Sequence, residues 1–223
     1  MRKKTRQHEI VDMAARLFAS KGYAETSMED IASELGMLKG SLYYYVKSKH
    51  DLVGMVLGDA IVELGSGLTK VVESNSSYTD KLKRAFYFHI KYFHAHYPRT
   101  LLFLEHRYHD LPEAQKKRVK KARDEYEGLW RRLVLEGIER GEFRSDLDVT
   151  IVVRALLGMC NWMTKWYKAG DKWGPDEIAE VFYVIAMQGL RPMPCKAQDE
   201  LEQAFSKEKD KYIEVAEVQK KED

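Results

Sequence analysis

The chain has 223 residues, 44% of them hydrophobic and 32% charged, with a formal net charge of +2. That is apolar material for one large or two small cores, and the overall charge does not announce a nucleic-acid binder. No uninterrupted apolar run reaches membrane-spanning length, and Cys160 and Cys195 are too far apart, without metal-ligand companions, to be more than buried or free thiols.

The start, MRKKTRQHEIVDM, is basic and runs into an amphipathic stretch, not an apolar leader core, so the protein is expected to stay in the cytoplasm. Residues 1–50 hold nine Lys/Arg against six Asp/Glu, while the remainder is nearly balanced, so any attraction to DNA has to come from local phosphate contacts. Arg2, Lys3, Lys4 and Arg6 read either as a groove-following arm or as a solvated terminus. A first helix is predicted over about residues 5–20, with Ile10, Ala14, Leu17 and Phe18 inward, ended by Lys21-Gly22-Tyr23. Ser27 and Asp30 are spaced as an acidic capping box for a second helix, whose apolar face is Ile31, Ala32 and Leu35. Gly36 stands where a left-handed residue stops a helix. A third helix is predicted over about residues 39–46, with Leu42 and Val46 inward and Lys39, Ser41, Tyr43, Tyr44 and Tyr45 outward. Two short helices joined by a glycine turn, the second polar and aromatic, have the layout of a helix-turn-helix reading head; the plain alternative is a helical hairpin with buried tyrosines.

Residues 26–49, TSMEDIASELGMLKGSLYYYVKSK, go further. Together with Ile10, Ala14, Leu17, Phe18, Gly22 and Tyr23, this run resembles the N-terminal signature of the TetR family of transcriptional repressors. The resemblance covers about the first fifty residues. It implies an all-α protein: a three-helix head (residues 1–50) that binds double-stranded operator DNA, then a larger helical ligand-binding and dimerisation domain (residues 51–190); the charged tail (residues 191–223) falls outside the family pattern. Phosphate contacts are expected at helix N-termini, at Thr26 and Ser27 and again at Ser48 and Lys49. Tyr43 resembles the family's phosphate-contacting aromatic. Lys39, Ser41, Tyr44 and Tyr45 are the candidates for base edges, and Gly40 lets backbone approach the duplex. Two positions depart from the pattern. Leu38 stands where the family usually has Ser or Thr, a loss of about 1 kcal/mol of capping. Tyr45-Val46 stands where it often has His-Phe.

Ser48 caps a long helix, with Asp51 three residues on; an apolar stripe from Leu52 through Leu68 and Val71 to Val72 carries it to about Glu73, where Ser74-Asn75-Ser76-Ser77 breaks it. Phe86, Phe88, Ile90, Tyr92, Phe93 and Tyr97 then crowd one helix that stops before Pro98. Leu111-Pro112 opens a strongly basic helix carrying Lys116, Lys117, Arg118, Lys120, Lys121 and Arg123, and farther on Tyr126, Trp130 and Leu133. So many aromatics fit either a dense core or the wall of a cavity for an elongated apolar ligand. A helix from about residue 146 to residue 167 precedes a last one over residues 175–190, apolar on nearly two faces through Ile178, Val181, Phe182, Val184, Ile185 and Met187. One face packs inside the subunit; the other either is covered by the same chain or joins a four-helix homodimer interface.

Asn161-Trp162 with Trp166-Tyr167, taken with Arg107 and the basic helix, looks like one branch of the same family: regulators of fatty-acid or aromatic-acid degradation that leave DNA on binding an acyl-CoA thioester. That likeness implies a small-molecule effector and no cofactor. Phe86, Phe93, Phe103, Trp130 and Trp162 would surround the acyl chain, with Arg107 and Trp166 in the same set. Lys120, Lys121 and Arg123 would meet the CoA phosphates. Asn161 would hold the thioester carbonyl or a pantetheine amide. The cations are otherwise a solvated helix face balanced by Glu113, Asp124 and Glu125. The alternative within the family is a drug-efflux repressor binding cationic hydrophobic compounds, with Glu105 as its acid. An enzyme is not expected: there is no nucleophile elbow, and His89, His94 and His96 lack metal-ligand spacing. Beyond Leu190, RPMPCK cannot continue a helix; Leu201, Phe205, Tyr212 and Val215 then recur at helical spacing, so the tail is either an extra helix or mobile.

Overall fold

Every regular element of the computed structural model is a helix, among the residues it describes, 2–96 and 111–192. In chain order these are α1 (Arg2–Lys21), α2 (Met28–Glu34), α3 (Lys39–Leu42), α4 (Lys49–Val72), α5 (Tyr78–Ala95), α6 (Glu113–Glu139), α7 (Val149–Trp166) and α8 (Pro175–Leu190). The expected all-α class is therefore met. Phe103, Glu105, Arg107, Cys195 and the charged tail lie outside the described residues.

The head is α1 to α3. Ser27 caps α2: its hydroxyl accepts from the Asp30 N–H at 3.0 Å while the Asp30 carboxylate accepts from the Ser27 N–H at 2.7 Å, as the spacing predicted. Gly36 has φ +62°, a left-handed backbone that suits glycine. Two expectations change. The basic start is helical, because α1 begins at Arg2 and not at residue 5. The third helix is a single turn, Lys39–Leu42, where residues 39–46 were expected. After Leu42 the hydrogen bonds tighten to three-residue spacing, Tyr44 N–H to the Ser41 carbonyl and Tyr45 N–H to the Leu42 carbonyl, so the chain keeps turning to Val46 without regular α geometry. From α1, Gln7 Nε2 donates to the Tyr45 carbonyl at 3.3 Å and Arg6 Nη2 to the Leu35 carbonyl at 3.1 Å, so the first helix holds the ends of both short ones.

α4 is the spine. At 24 residues it spans about 36 Å. Its length and composition would let it cross a membrane, but 56% of its most apolar stretch is buried inside the protein, which makes it a core helix. α6 lies along it, and the approach is close. A Cβ at Gly54 would overlap the Gln115 side chain, and one at Gly58 would sit 3.1 Å from Arg118 Nε. Gly54 and Gly58, one turn apart, thus form a groove on α4 that receives Gln115 and Arg118, one turn apart on α6. A single apolar core runs from Ile10 and Leu42 in the head through Leu52, Val53, Val56 and Leu57 to Trp130, Leu156 and Leu190. A smaller cluster at the far end of α5 holds Ile90, Phe93, Met163, Tyr167, Ile178 and Ala179.

Candidate DNA-reading head and effector domain

The reading surface is built from short-range constraints. Leu42 and Val46 are buried and anchor the turn, which forces Ser41, Tyr43 and Tyr44 outward into solvent. Tyr45 is half-buried against the core, with its ring edge-on to Tyr44 at 5.2 Å between centroids. Lys39 and Gly40 open α3 on the exposed side, and nothing lies within 4 Å of the place where a Gly40 Cβ would be. Lys39 pairs with Glu29 of α2 at 3.0 Å, a surface contact that phosphate or base can displace. Among the candidate DNA residues, then, Ser27, Lys39, Gly40, Ser41, Tyr43 and Tyr44 share the solvent side of the head.

Thr26 does not belong with them. It is 1% exposed, and its hydroxyl lies 2.7 Å from the Gly22 carbonyl and 3.3 Å from that of Leu17, so it ties the loop to the end of α1. A hydroxyl committed to buried carbonyls has no donor left for phosphate. Lys49 is only part-exposed: its ammonium donates to the Ala24 carbonyl at 3.1 Å and sits 4.1 Å from the Tyr23 ring centre, and burial lowers its pKa. It braces the Tyr23–Ala24 loop against the start of α4. Tyr23 adds a hydroxyl contact of 3.1 Å to His50 Nδ1. Sequence reasoning missed Tyr23, His50 and Gln7 in this role, since residues so far apart in the chain carry no periodic signal of contact. It also missed Lys47, which is exposed between the reading turn and α4.

Head and body are joined by a polar seam. The buried Asp51 carboxylate accepts from the Lys47 N–H at 3.1 Å with one oxygen and from Gln115 Nε2 at 2.7 Å with the other. One turn on, Arg118 of α6 pairs with Asp59 of α4, and Asp59 also lies 3.8 Å from His8 of α1. The first turns of α6 are therefore linked both to the residue that follows the reading turn and to α1.

The expected effector residues do not converge on one cavity among the described residues. Phe86 and Trp130 are fully buried and meet edge-to-face at 5.4 Å, as core. Phe93 belongs to the separate far cluster. Asn161, Trp162 and Trp166 are exposed: they lie on the outer side of α7, while Cys160 and Met163 point inward, so a stripe assigned to a cavity is a surface. Lys120 pairs with Asp124 at 2.5 Å and Lys121 with Glu125 at 3.8 Å. Arg123 shares with Lys120, Asp124 and Glu127 an open depression of about 220 Å³. Two carboxylates beside two cations make a poor phosphate site, and the solvated-face reading of this helix fits the geometry. What the sequence did not flag is a buried polar nucleus: His89 Nδ1 lies 2.7 Å from the Tyr126 hydroxyl, and the buried Trp130 indole stands edge-on to the His89 ring at 6.4 Å between centroids. Burial pushes His89 down to about 4 and Tyr126 well up. No group of His, Cys, Asp and Glu suited to a metal ion occurs among the described residues.

Comparison with known proteins agrees with this two-part plan. Residues 10–56 match the family model for bacterial regulatory proteins of the tetR family, and residues 75–190 match that for the tetracyclin repressor-like C-terminal domain. The chain is 29% identical over 188 residues to the HTH-type transcriptional repressor KstR2 of Mycolicibacterium smegmatis, covering 83% of this chain and 91% of that one. It superposes with a TM-score of 0.71 on PfmR, a TetR family transcriptional regulator from Thermus thermophilus, at 30% identity over 82% of this chain and 99% of that one. FadR of Bacillus subtilis, solved in complex with stearoyl-CoA, also gives 0.71 over 82% of this chain and 98% of that one; at 17% identity this likeness is one of fold.

Proposed function

The chain belongs to the TetR family of bacterial regulatory proteins, a DNA-binding transcriptional regulator and not an enzyme, and from there we propose that it is a cytoplasmic homodimeric repressor of a palindromic operator. The observation that carries this reading is the solvent face of the head, where Ser41, Tyr43 and Tyr44 project from a turn clamped by Leu42, Val46 and Gln7. The dimer reading rests on the outer faces of α7 and α8. Ile151, Trp162, Trp166, Val181, Val184 and Ile185 are all exposed there, an apolar surface of the kind a second copy covers in a four-helix contact. Two reading turns held by such a contact address half-sites about 34–36 Å apart.

The effector we propose is an acyl-CoA thioester, and the regulated genes those of fatty-acid or related acid degradation. The stearoyl-CoA bound by a protein of the same fold supports it; Asn161, Trp162 and Trp166, which the sequence likeness assigned to the ligand, lie on the outer side of α7 and do not add to it. The ligand acts only through its differential affinity for the DNA-competent and DNA-incompetent states. Selection of duplexes from a random pool by the full-length protein, followed by release with stearoyl-CoA, tests both parts. The expected result is one palindromic sequence, released by the thioester but not by free CoA. Release by cationic dyes alone would replace the effector class with the efflux-repressor one, and failure to enrich any duplex would overturn the repressor reading.

A further inference from the structure

We propose that Leu38 is a base-reading residue, and that its partner is the 5-methyl group of a thymine in each operator half-site. The inference rests on the DNA-binding reading above and adds one chemical contact to it. Leu38 is 80% exposed, the most exposed of the large hydrophobic side chains among the described residues. It stands at the N-cap of the reading turn, in extended backbone (φ −72°, ψ 140°), and makes no side-chain capping bond. A cap position filled by Leu leaves free N–H groups of the next turn without the oxygen that Ser or Thr supplies there. The sequence thus gives up local stability and sets an apolar side chain in water at the point where the N-terminal end of a recognition helix meets base edges.

An isolated exposed leucine is ordinary on a protein surface. This one is distinguished by its neighbours. Lys39 follows it, Ser41 and Tyr44 lie exposed on the next turn, and the buried Leu42 fixes the register of all four. The other candidate base-reading groups at this end of the head are polar, and they serve donors and acceptors. In the major groove the thymine methyl is the one apolar feature of a base edge, so an apolar side chain placed among hydrogen-bonding ones matches thymine and no other base.

The test uses the full-length protein and the duplex it selects from a random pool. Each thymine of that duplex is replaced singly by deoxyuridine, which removes the methyl and leaves the hydrogen-bonding edge intact. The expected result is one symmetry-related thymine position whose loss of methyl weakens binding about fourfold, the burial of one methyl group. Leu38→Ala should bind the thymine duplex correspondingly less well and show no further loss on the deoxyuridine duplex, with an unchanged salt slope. Because Leu38 is exposed, the variant should melt with the parent, and Leu38→Ser, which restores a capping hydroxyl, should melt higher while losing the same discrimination. A selected duplex with no thymine methyl that matters, or a methyl effect that persists in Leu38→Ala, overturns the assignment while leaving the repressor reading in place. A protein that enriches no duplex overturns both.

Discussion

Residues that look alike in the sequence divide by burial into exposed candidates for DNA contact and half-buried braces. Tyr43 is exposed on the head, and Tyr43→Phe should weaken binding to every duplex by about three- to tenfold, the loss of one hydrogen bond, as measured by titration at fixed salt. Lys47 and Lys49 divide in the same way. Lys47→Ala should lower the slope of log affinity against log salt by about 1, as removal of a phosphate contact does. Lys49→Ala should leave that slope nearly unchanged and lower the melting temperature, because its ammonium is held by Ala24 and Tyr23. His89 makes a different prediction. Its folded pKa is depressed to about 4 by burial, so between there and about 6.5 the unfolded chain binds the extra proton. Stability is then complete above about pH 6.5 and falls as the pH drops toward 4. Urea unfolding at pH 7 and pH 5 should differ by about 2 kcal/mol more in the parent than in His89→Gln.

At the scale of elements, the contact of α4 with α6 ties the body to the reading turn. Gly54 leaves no room for a methyl against Gln115, and Gln115 in turn holds Asp51, whose second oxygen holds the Lys47 N–H next to the reading turn. Gly54→Ala should cost about 1–3 kcal/mol through overpacking in spite of alanine's better helix propensity. Gln115→Gly should restore part of that loss, since the overlap is with its Cβ. Chemical denaturation of the two single variants and the double variant gives the coupling directly; strict additivity would show that the helices part without strain. The aromatic crowding of α5 teaches a related lesson. Phe86 packs edge-on to Trp130 in the main core while Phe93, two turns on, enters the far cluster, so one helix serves two packing centres.

For the whole molecule, the exposed apolar faces of α7 and α8 are too extensive to stay in water without consequence. Ile185 is 57% exposed, so Ile185→Glu should leave the subunit fold intact to within about 0.5 kcal/mol. Sedimentation should show it shifted to monomer, with operator affinity falling because two half-sites are no longer read by one body. A variant that sediments like the parent would place the dimer contact elsewhere. The seam from Arg118 to Asp59 to His8 and the continuous core along α4 pack the head against the body.

The local pattern of the chain was sufficient for the elements and the class. Ser27 with Asp30, Gly36, Ser48 with Asp51 and the inward spacing of Ile10, Ala14, Leu17 and Phe18 are short-range signals, and each acts through hydrogen bonds or one helical face within a few residues. They were enough to place the reading head, though not to foresee that α3 would be one turn long. What only the tertiary structure decided is which side chains meet. The burial of Thr26, the bracing by Lys49, the outward turn of Asn161, Trp162 and Trp166, and the seating of Gln115 on Gly54 all depend on partners tens of residues away or on which side of a helix a neighbour covers. Periodicity states that a helix has faces; packing alone determines what each face touches.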